Sequence, residues 1–339
     1  MHRIFCFGEI LIRLSPALPE RWLRQSSMPV YIGGAELNVA TALAKWDMNV
    51  GYCTAMPKHY LSLEMIQYLS KKNIDTAPVQ FRGNRIGIYF LPEGADLKHA
   101  GVIYDRQHSS FAELQPGTIN WHELLQGYTW FHFSAISPAV SESAAAVCLE
   151  AVKAAATKYI TVSVDLNYRA KLWQYGKRPL EVMRQLLPYC NIVMGNIWSA
   201  NTLLGIDINE NIHEKKNKQA YIDHAAQTAN AIMKNYPGCS AVYNTFRFDH
   251  NDSIHYYASL NVSNDQYISA EFISHKCVDR AGSGDCFMAG LIYATTQRFL
   301  PQNIINFAAA AAFGKLHEAG DTTSQKVEQI QSLIKTTNA

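Results

Sequence analysis

The feature that most limits the folds open to this chain is a rhythm. Short apolar runs alternate with longer amphipathic stretches. Ile4–Phe7, Val50–Thr54, Trp130–Phe133, Ile160–Val164 and Ile192–Met194 read as buried strands, and Ser240–Tyr243 reads as extended. Glu36–Trp46, Ser62–Lys71, Glu142–Thr157 and Tyr221–Lys234 carry helical periodicity. Two further helices are expected, one from Gly284 to about Arg298 and one over Asn303–His317. Strands that are apolar throughout and separated by helices form an α/β fold with a largely parallel sheet. The 339 residues, 48% of them hydrophobic, can bury a sizeable core. No Pro/Gly/Ser-rich linker or visible repeat divides them, so 1–339 reads as a single domain.

Two regions break the rhythm. Residues 11–32 and 82–106 look extended, with alternating apolar and polar positions, most clearly over Arg85–Leu91. Lacking helices, they suit a small antiparallel sheet standing off the main body, usable as a lid over a cleft. An edge-strand pair of the main sheet is the plainer alternative.

Composition removes several function classes. Charged residues make up 17%, the formal net charge is +2, and no basic run occurs, so no nucleic-acid partner is expected. The 12 histidines are scattered without H-E-x-x-H spacing. Seven cysteines, an odd number with no C-x-x-C, suit reduced thiols in the cytoplasm. The opening residues do not read as a signal peptide, because Glu9 and Arg13 follow a short apolar run. No apolar stretch reaches the ~18 residues of a membrane span.

The most informative stretch is Val278-Asp279-Arg280-Ala281-Gly282-Ser283-Gly284-Asp285-Cys286-Phe287-Met288-Ala289-Gly290. A strand-like run, Phe272–Val278, feeds a small-residue turn that opens an apolar helix. Glycines let backbone N–H groups face a concavity, and the helix N-terminus adds its dipole, so the turn is an anion site. An aspartate there opposes an anion unless its task is to take a proton from an attacking hydroxyl. The plain alternative is a glycine turn with Asp285 as helix cap. The pattern is neither a Walker A loop nor a Rossmann fingerprint. Near the N-terminus, Gly33-Gly34-Ala35-Glu36-Leu37-Asn38-Val39-Ala40 places a glycine pair before a helix with Asn38 in its first turn.

These stretches resemble the two signatures of the ribokinase-like (PfkB) sugar kinases, D-T-x-G-x-G-D-x-F-x-x-G and G-G-x-x-x-N-x-A. Asp279, Gly282, Gly284, Asp285, Phe287 and Gly290 match in register. The resemblance implies a three-layer α/β/α sandwich with a mainly parallel central sheet and a small β-sheet lid. It implies Asp285 as catalytic base and the amides of Ala281, Gly282, Ser283 and Gly284 as an anion hole, Gly282 and Gly284 also meeting the nucleotide. Gly33, Gly34 and Asn38 then bind sugar hydroxyls, with Asp285 facing the acceptor.

Four further segments resemble the 2-keto-3-deoxygluconate kinase branch: Gly8–Pro16, Gly87–Phe90, Val102–Arg106 and Asp165–Trp173. By that resemblance Tyr89, Tyr104, Arg106, Asn167 and Arg169 contact a sugar acid. Arginine reads a carboxylate bidentately, which favours an acid over a neutral hexose. The implied reaction is ATP-dependent phosphorylation of a primary hydroxyl, converting 2-keto-3-deoxygluconate to its 6-phosphate. Fructokinase or another ribokinase-like activity is the near alternative, and a non-catalytic sugar or nucleotide sensor the distant one. A homodimer is implied by lid strands that often pair between subunits.

The nucleotide side departs from the pattern. The usual N-x-x-E reads Asn196-Ile197-Trp198-Ser199, so a serine stands where the acid that helps organise Mg²⁺ belongs. The usual T-x-G-x-x-G loop reads Tyr243-Asn244-Thr245-Phe246-Arg247, similar to a T-L-R variant in which Thr245 and Arg247 reach the nucleotide. ATP and Mg²⁺ are the implied cofactors, metal ligands are not assigned, and a monovalent cation is a further candidate. Phe313–Asp321 lies where the family lines its adenine pocket.

Overall fold

The computed structural model describes residues 2–16, 22, 26–92, 101–209, 211–212, 217–250 and 253–337. In chain order the strands are β1 (Arg3–Phe7), β2 (Leu11–Leu14), β3 (Val30–Gly33), β4 (Asn49–Cys53), β5 (Ala55–Met56), β6 (Ile74–Asp75), β7 (Gln80–Phe81), β8 (Gly87–Phe90), β9 (Ile103–Asp105), β10 (Trp130–Ser134), β11 (Thr161–Asp165), β12 (Ile192–Gly195), β13 (Ala241–His250), β14 (Ser253–Val262), β15 (Asp265–Ile268) and β16 (Phe272–Ser274). The helices are α1 (Ala35–Lys45), α2 (Tyr60–Ser70), α3 (Trp121–Leu124), α4 (Glu142–Thr157), α5 (Pro179–Leu186), α6 (Ile197–Leu204), α7 (Lys218–Asn235), α8 (Ser283–Thr296), α9 (Pro301–Lys315) and α10 (Val327–Thr337).

The main sheet runs β15-β14-β13-β12-β11-β10-β1-β4-β6, with β16 on β14. From β6 to β13 every neighbouring pair is parallel, and β14, β15 and β16 add an antiparallel edge. Alternation along the strands splits the core into two layers. Ile4 and Cys6 of β1 face α1, α8 and α9, while Phe5 and Phe7 face α4 and α5 on the other side. Strand order reverses between β1 and β10, and in doubly wound sheets the crevice at such a switch point holds the ligand.

The lid is a separate sheet in the order β3-β2-β8-β9. It is mixed rather than antiparallel, because β2 pairs with β8 in parallel. Two out-and-back hairpins lie side by side, and their outgoing strands are the neighbours. Parts of the two expected lid stretches, 17–21, 23–25 and 93–100, lie outside the described residues.

Two other expectations need correction. The extended run from Phe272 stops at Ser274, because Val278 N and Asp279 N donate instead to Leu316 O at 2.8 and 3.3 Å, taking the chain off the sheet. The segment expected at Ser240–Tyr243 continues to His250, since β14 pairs along its whole length. Phe246 stacking on Tyr257 at 4.8 Å helps hold that hairpin.

Helices α8 and α9 cross at Gly290, where an added Cβ would fall 2.8 Å from Ala308 Cα. A backbone atom cannot yield as a flexible side chain would. Valine there gains a few tenths of a kcal/mol in helix propensity, less than the about 1–3 kcal/mol that overpacking costs. Gly290→Val is expected to lower stability by roughly that difference, read as a reduced denaturant midpoint with an unchanged slope.

Candidate active site

The turn before α8 is built for an anion. Gly282 is the N-cap with φ 76°, a left-handed conformation that favours glycine, and no side chain caps the helix. The first N–H groups of a helix have no intrahelical partner. An added Cβ on Gly284 would meet nothing within 4 Å, so the backbone here borders open space. One expected member of the anion hole is already engaged: Ala281 N donates to Asp279 Oδ1 at 3.0 Å. The donors that remain belong to Gly282, Ser283 and Gly284.

Asp285, in the first turn of α8, does not cap its helix. Its Oδ2 accepts from Asn38 Nδ2 of α1 at 2.7 Å. This bond joins two segments 247 residues apart in the chain. Burial pushes the Asp285 carboxyl up to about 7, and Glu36 and Asp321 push the same way, while Asn38 and Arg169 oppose them. A helix N-terminus is worth at most about 2 kcal/mol toward ionisation, whereas full burial can shift a carboxyl by several times that, so desolvation wins. Asn38 Oδ1 is buried and has no hydrogen-bond partner among the described residues, leaving an acceptor for a ligand hydroxyl.

Three more acids surround this pair. Glu36 Oε1 accepts from Ser134 N, Ser134 Oγ and Ser137 Oγ at 2.7–2.8 Å, fixing α1 to the end of β10. Asp165 ends β11, its carboxyl pushed up by burial and by Asp285 and opposed by Arg169. Asp321, from the loop after α9, was not singled out in the sequence. It accepts from the Tyr89 hydroxyl, lies 3.5 Å from Arg13 Nη1, and packs against Gly33 and Gly282. Nothing local marks an aspartate in a G-D-T-T run as buried. Arg13 is fully buried and also pairs with Asp279 at 2.8 Å.

The residues expected to grip a sugar acid divide into two groups. Arg106 gives Nε and Nη2 to Glu9 at 2.6 and 2.5 Å in a buried ion pair, and the Tyr89 hydroxyl goes to Asp321. Both are thus engaged inside the protein. Tyr104 is half-buried beside Tyr89 on the lid, and Asn167 and Arg169 are half-buried on the turn after β11. Lys171 ties that turn to the lid through Val102 O at 2.8 Å. Gly33 ends β3, and Gly34 is the N-cap of α1 with φ 135°, its position for a Cβ blocked by Glu9 O at 2.2 Å.

On the nucleotide side, Asn196 caps α6 by accepting from Ser199 N at 2.8 Å. Thr245 and Arg247 lie within β13, not in a loop, with Arg247 opposite Tyr256. The Phe313–Asp321 stretch turns toward the cradle and the lid, Gly320 packing on the Tyr31 ring. Among the described residues no three His, Cys, Asp or Glu side chains converge as a metal site. The donor set therefore does not fit a protein-built metal cage.

A lidded, doubly wound sheet with a carboxylate at an amide-lined helix start defines the ribokinase-like class of phosphotransferases. The chain belongs to the pfkB family of carbohydrate kinases, whose family model matches residues 1–327. It is similar to the crystal structure of 2-dehydro-3-deoxygluconokinase from Thermotoga maritima, at 33% identity and TM-score 0.89 over 99% of this chain and 100% of that one. It is 29% identical over 167 residues to a 2-dehydro-3-deoxygalactonokinase of Haloferax volcanii, a match spanning 49% of this chain and 52% of that protein. It is 22% identical over 311 residues to a 5-dehydro-2-deoxygluconokinase of Geobacillus thermodenitrificans, covering 90% of this chain and 85% of the relative.

The raised Asp285 carboxyl has a stability consequence. An unfolded aspartate loses its proton near 3.8 and the folded one near 7, so between these values the folded state holds more protons and stability falls as pH rises. Asp285→Asn is expected to raise stability above pH 7 by on the order of 1–4 kcal/mol, a gain that shrinks as pH falls toward 4. Guanidinium unfolding of both proteins across that pH range measures it.

Proposed function

We propose that this carbohydrate kinase transfers the γ-phosphoryl group of ATP to the primary hydroxyl of 2-keto-3-deoxygluconate, giving the 6-phosphate and ADP. The observation that carries this reading is the pairing of Asp285 with Asn38 at the uncapped start of α8. Asn38 Oδ1 and the Gly33–Gly34 backbone receive the sugar. Asp285 takes the proton of its hydroxyl as that oxygen attacks the γ-phosphorus. The bond to the β–γ bridging oxygen breaks in line, and ADP leaves. The amides of Gly282, Ser283 and Gly284 offset charge on the transferring group.

The substrate class rests on charge. Glu36, Asp165, Asp285 and Asp321 make the crevice acidic, and an anionic sugar needs a cation beside it. Arg169 opposes the charge of both Asp165 and Asp285, so it is the arginine proposed to meet the substrate carboxylate. The relative with 33% identity is named for the same acid. Arg106 supports this site indirectly, by holding Glu9 beneath lid strand β8. ATP binds through the cradle, with Asn196 at the start of α6 and Thr245 and Arg247 on β13 beside it. Magnesium arriving with the nucleotide brings phosphate and water ligands of its own. A homodimer through the lid, whose edge residues Val30 and Ile103 are exposed, completes the proposal.

Three outcomes are expected. In a coupled ADP-release assay, kcat/KM rises with pH through a single limb near 7, because only ionised Asp285 accepts a proton. Asp285→Asn lowers kcat by about 10²–10⁴-fold while calorimetry still detects sugar binding. A variant that keeps its turnover removes the base. Across a panel of sugar acids and hexoses, Arg169→Ala raises KM for the keto acid by about tenfold or more and leaves neutral sugars little changed. A wild-type preference for a neutral hexose contradicts the substrate assignment.

A further inference from the structure

Beneath the cradle lies a lysine that the reaction does not use. Lys315 ends α9 with 0% of its surface exposed. Its Nζ donates to Glu318 O at 3.0 Å and to Gly320 O at 2.8 Å. A buried ammonium is costly unless its donors are satisfied, and here two backbone carbonyls take two of its three. The turn it gathers reaches the site at three points. Leu316 O accepts from Val278 N and Asp279 N at 2.8 and 3.3 Å. Gly320 N donates to Asp279 Oδ2 at 3.2 Å, and Asp279 Oδ1 in turn accepts from Ala281 N. Asp321 O lies 1.9 Å from where a Cβ on Gly282 would stand. The backbone that Lys315 fixes therefore backs the N-cap of α8.

Carbonyl oxygens converging on one point are also what a desolvated potassium or ammonium ion accepts as ligands. In this chain the converging oxygens of Glu318 and Gly320 are already held by Nζ. The residues thus do not fit the monovalent cation that the family resemblance brings into consideration.

We propose that Lys315 is a positioning residue acting as a built-in monovalent cation, its ammonium gathering the Glu318 and Gly320 carbonyls and so seating the 316–321 turn against the anion cradle. The cradle is then set without a free ion. A lysine that merely capped the C-terminus of α9 would add stability but confer no ion response when removed.

The kinetic arm rests on the phosphotransfer reading, and the melting arm does not. Full-length wild type, Lys315→Met and Lys315→Gln are compared in tetramethylammonium, sodium, potassium and ammonium chloride at equal ionic strength. Wild-type turnover and melting temperature are expected to agree across the four salts. Both variants are expected to lose about tenfold or more in kcat in tetramethylammonium and to recover most of it in potassium or ammonium. Their melting temperatures rise in those two salts alone, since an ion that binds only the folded state stabilises it. Activation of wild type by potassium of about fivefold or more overturns the proposal, whether or not the variants fold. So does a folded variant whose turnover and melting ignore the cation. If no sugar is phosphorylated, the phosphotransfer reading fails while the melting comparison still decides the role of Lys315.

Discussion

A carboxylate buried at the positive end of a helix is the constraint that the rest of this structure serves. Left alone, the start of α8 would hold Asp285 ionised and locked as a local cap. Burial outweighs the helix field and brings its carboxyl to about 7, where it can both lose and accept a proton. Asn38 keeps the ionised form accessible and fixes its direction. Both residues need the same thing from the fold: that α1 and α8 lie in one layer, which their shared core with β1 and β4 provides.

Around that pair the charges are arranged so that few stand alone. Arg13 answers Asp279 and Asp321, Arg106 answers Glu9, and three serine and backbone donors answer Glu36. Breaking a buried pair leaves an uncompensated charge, which costs far more than a surface ion pair is worth. These contacts therefore act as geometric stops. Arg13 and Tyr89 come from lid strands β2 and β8, and their partners come from the cradle turn and the loop after α9. Lid and cradle are consequently registered to each other through buried polar groups, with Asp321 at the junction.

The amino-acid sequence determined, by itself, what depends on local pattern. Continuous apolar runs gave the strands at 4–7, 130–133 and 160–164, because a sheet buried on both faces demands them, and helical periodicity gave the helices at 36–46 and 142–157. The glycine turn at 282–284 and the asparagine at 38 were legible because close backbone approach and hydroxyl recognition restrict residue type. Only the tertiary structure decided the rest. Arg13 meets Asp279 across 266 residues, and no local signal reports such a meeting. Tyr89 and Arg106, read as sugar contacts, are engaged by Asp321 and Glu9. Ala281 spends its amide on Asp279, β2 and β8 run parallel because two hairpins stand side by side, and Asp321 and Lys315 are buried by a loop whose composition reads as surface. The physical reason is common to all of these: pairing of charges and satisfaction of backbone groups are set by which segments the sheet order makes neighbours, and a sequence carries that only through the complete fold.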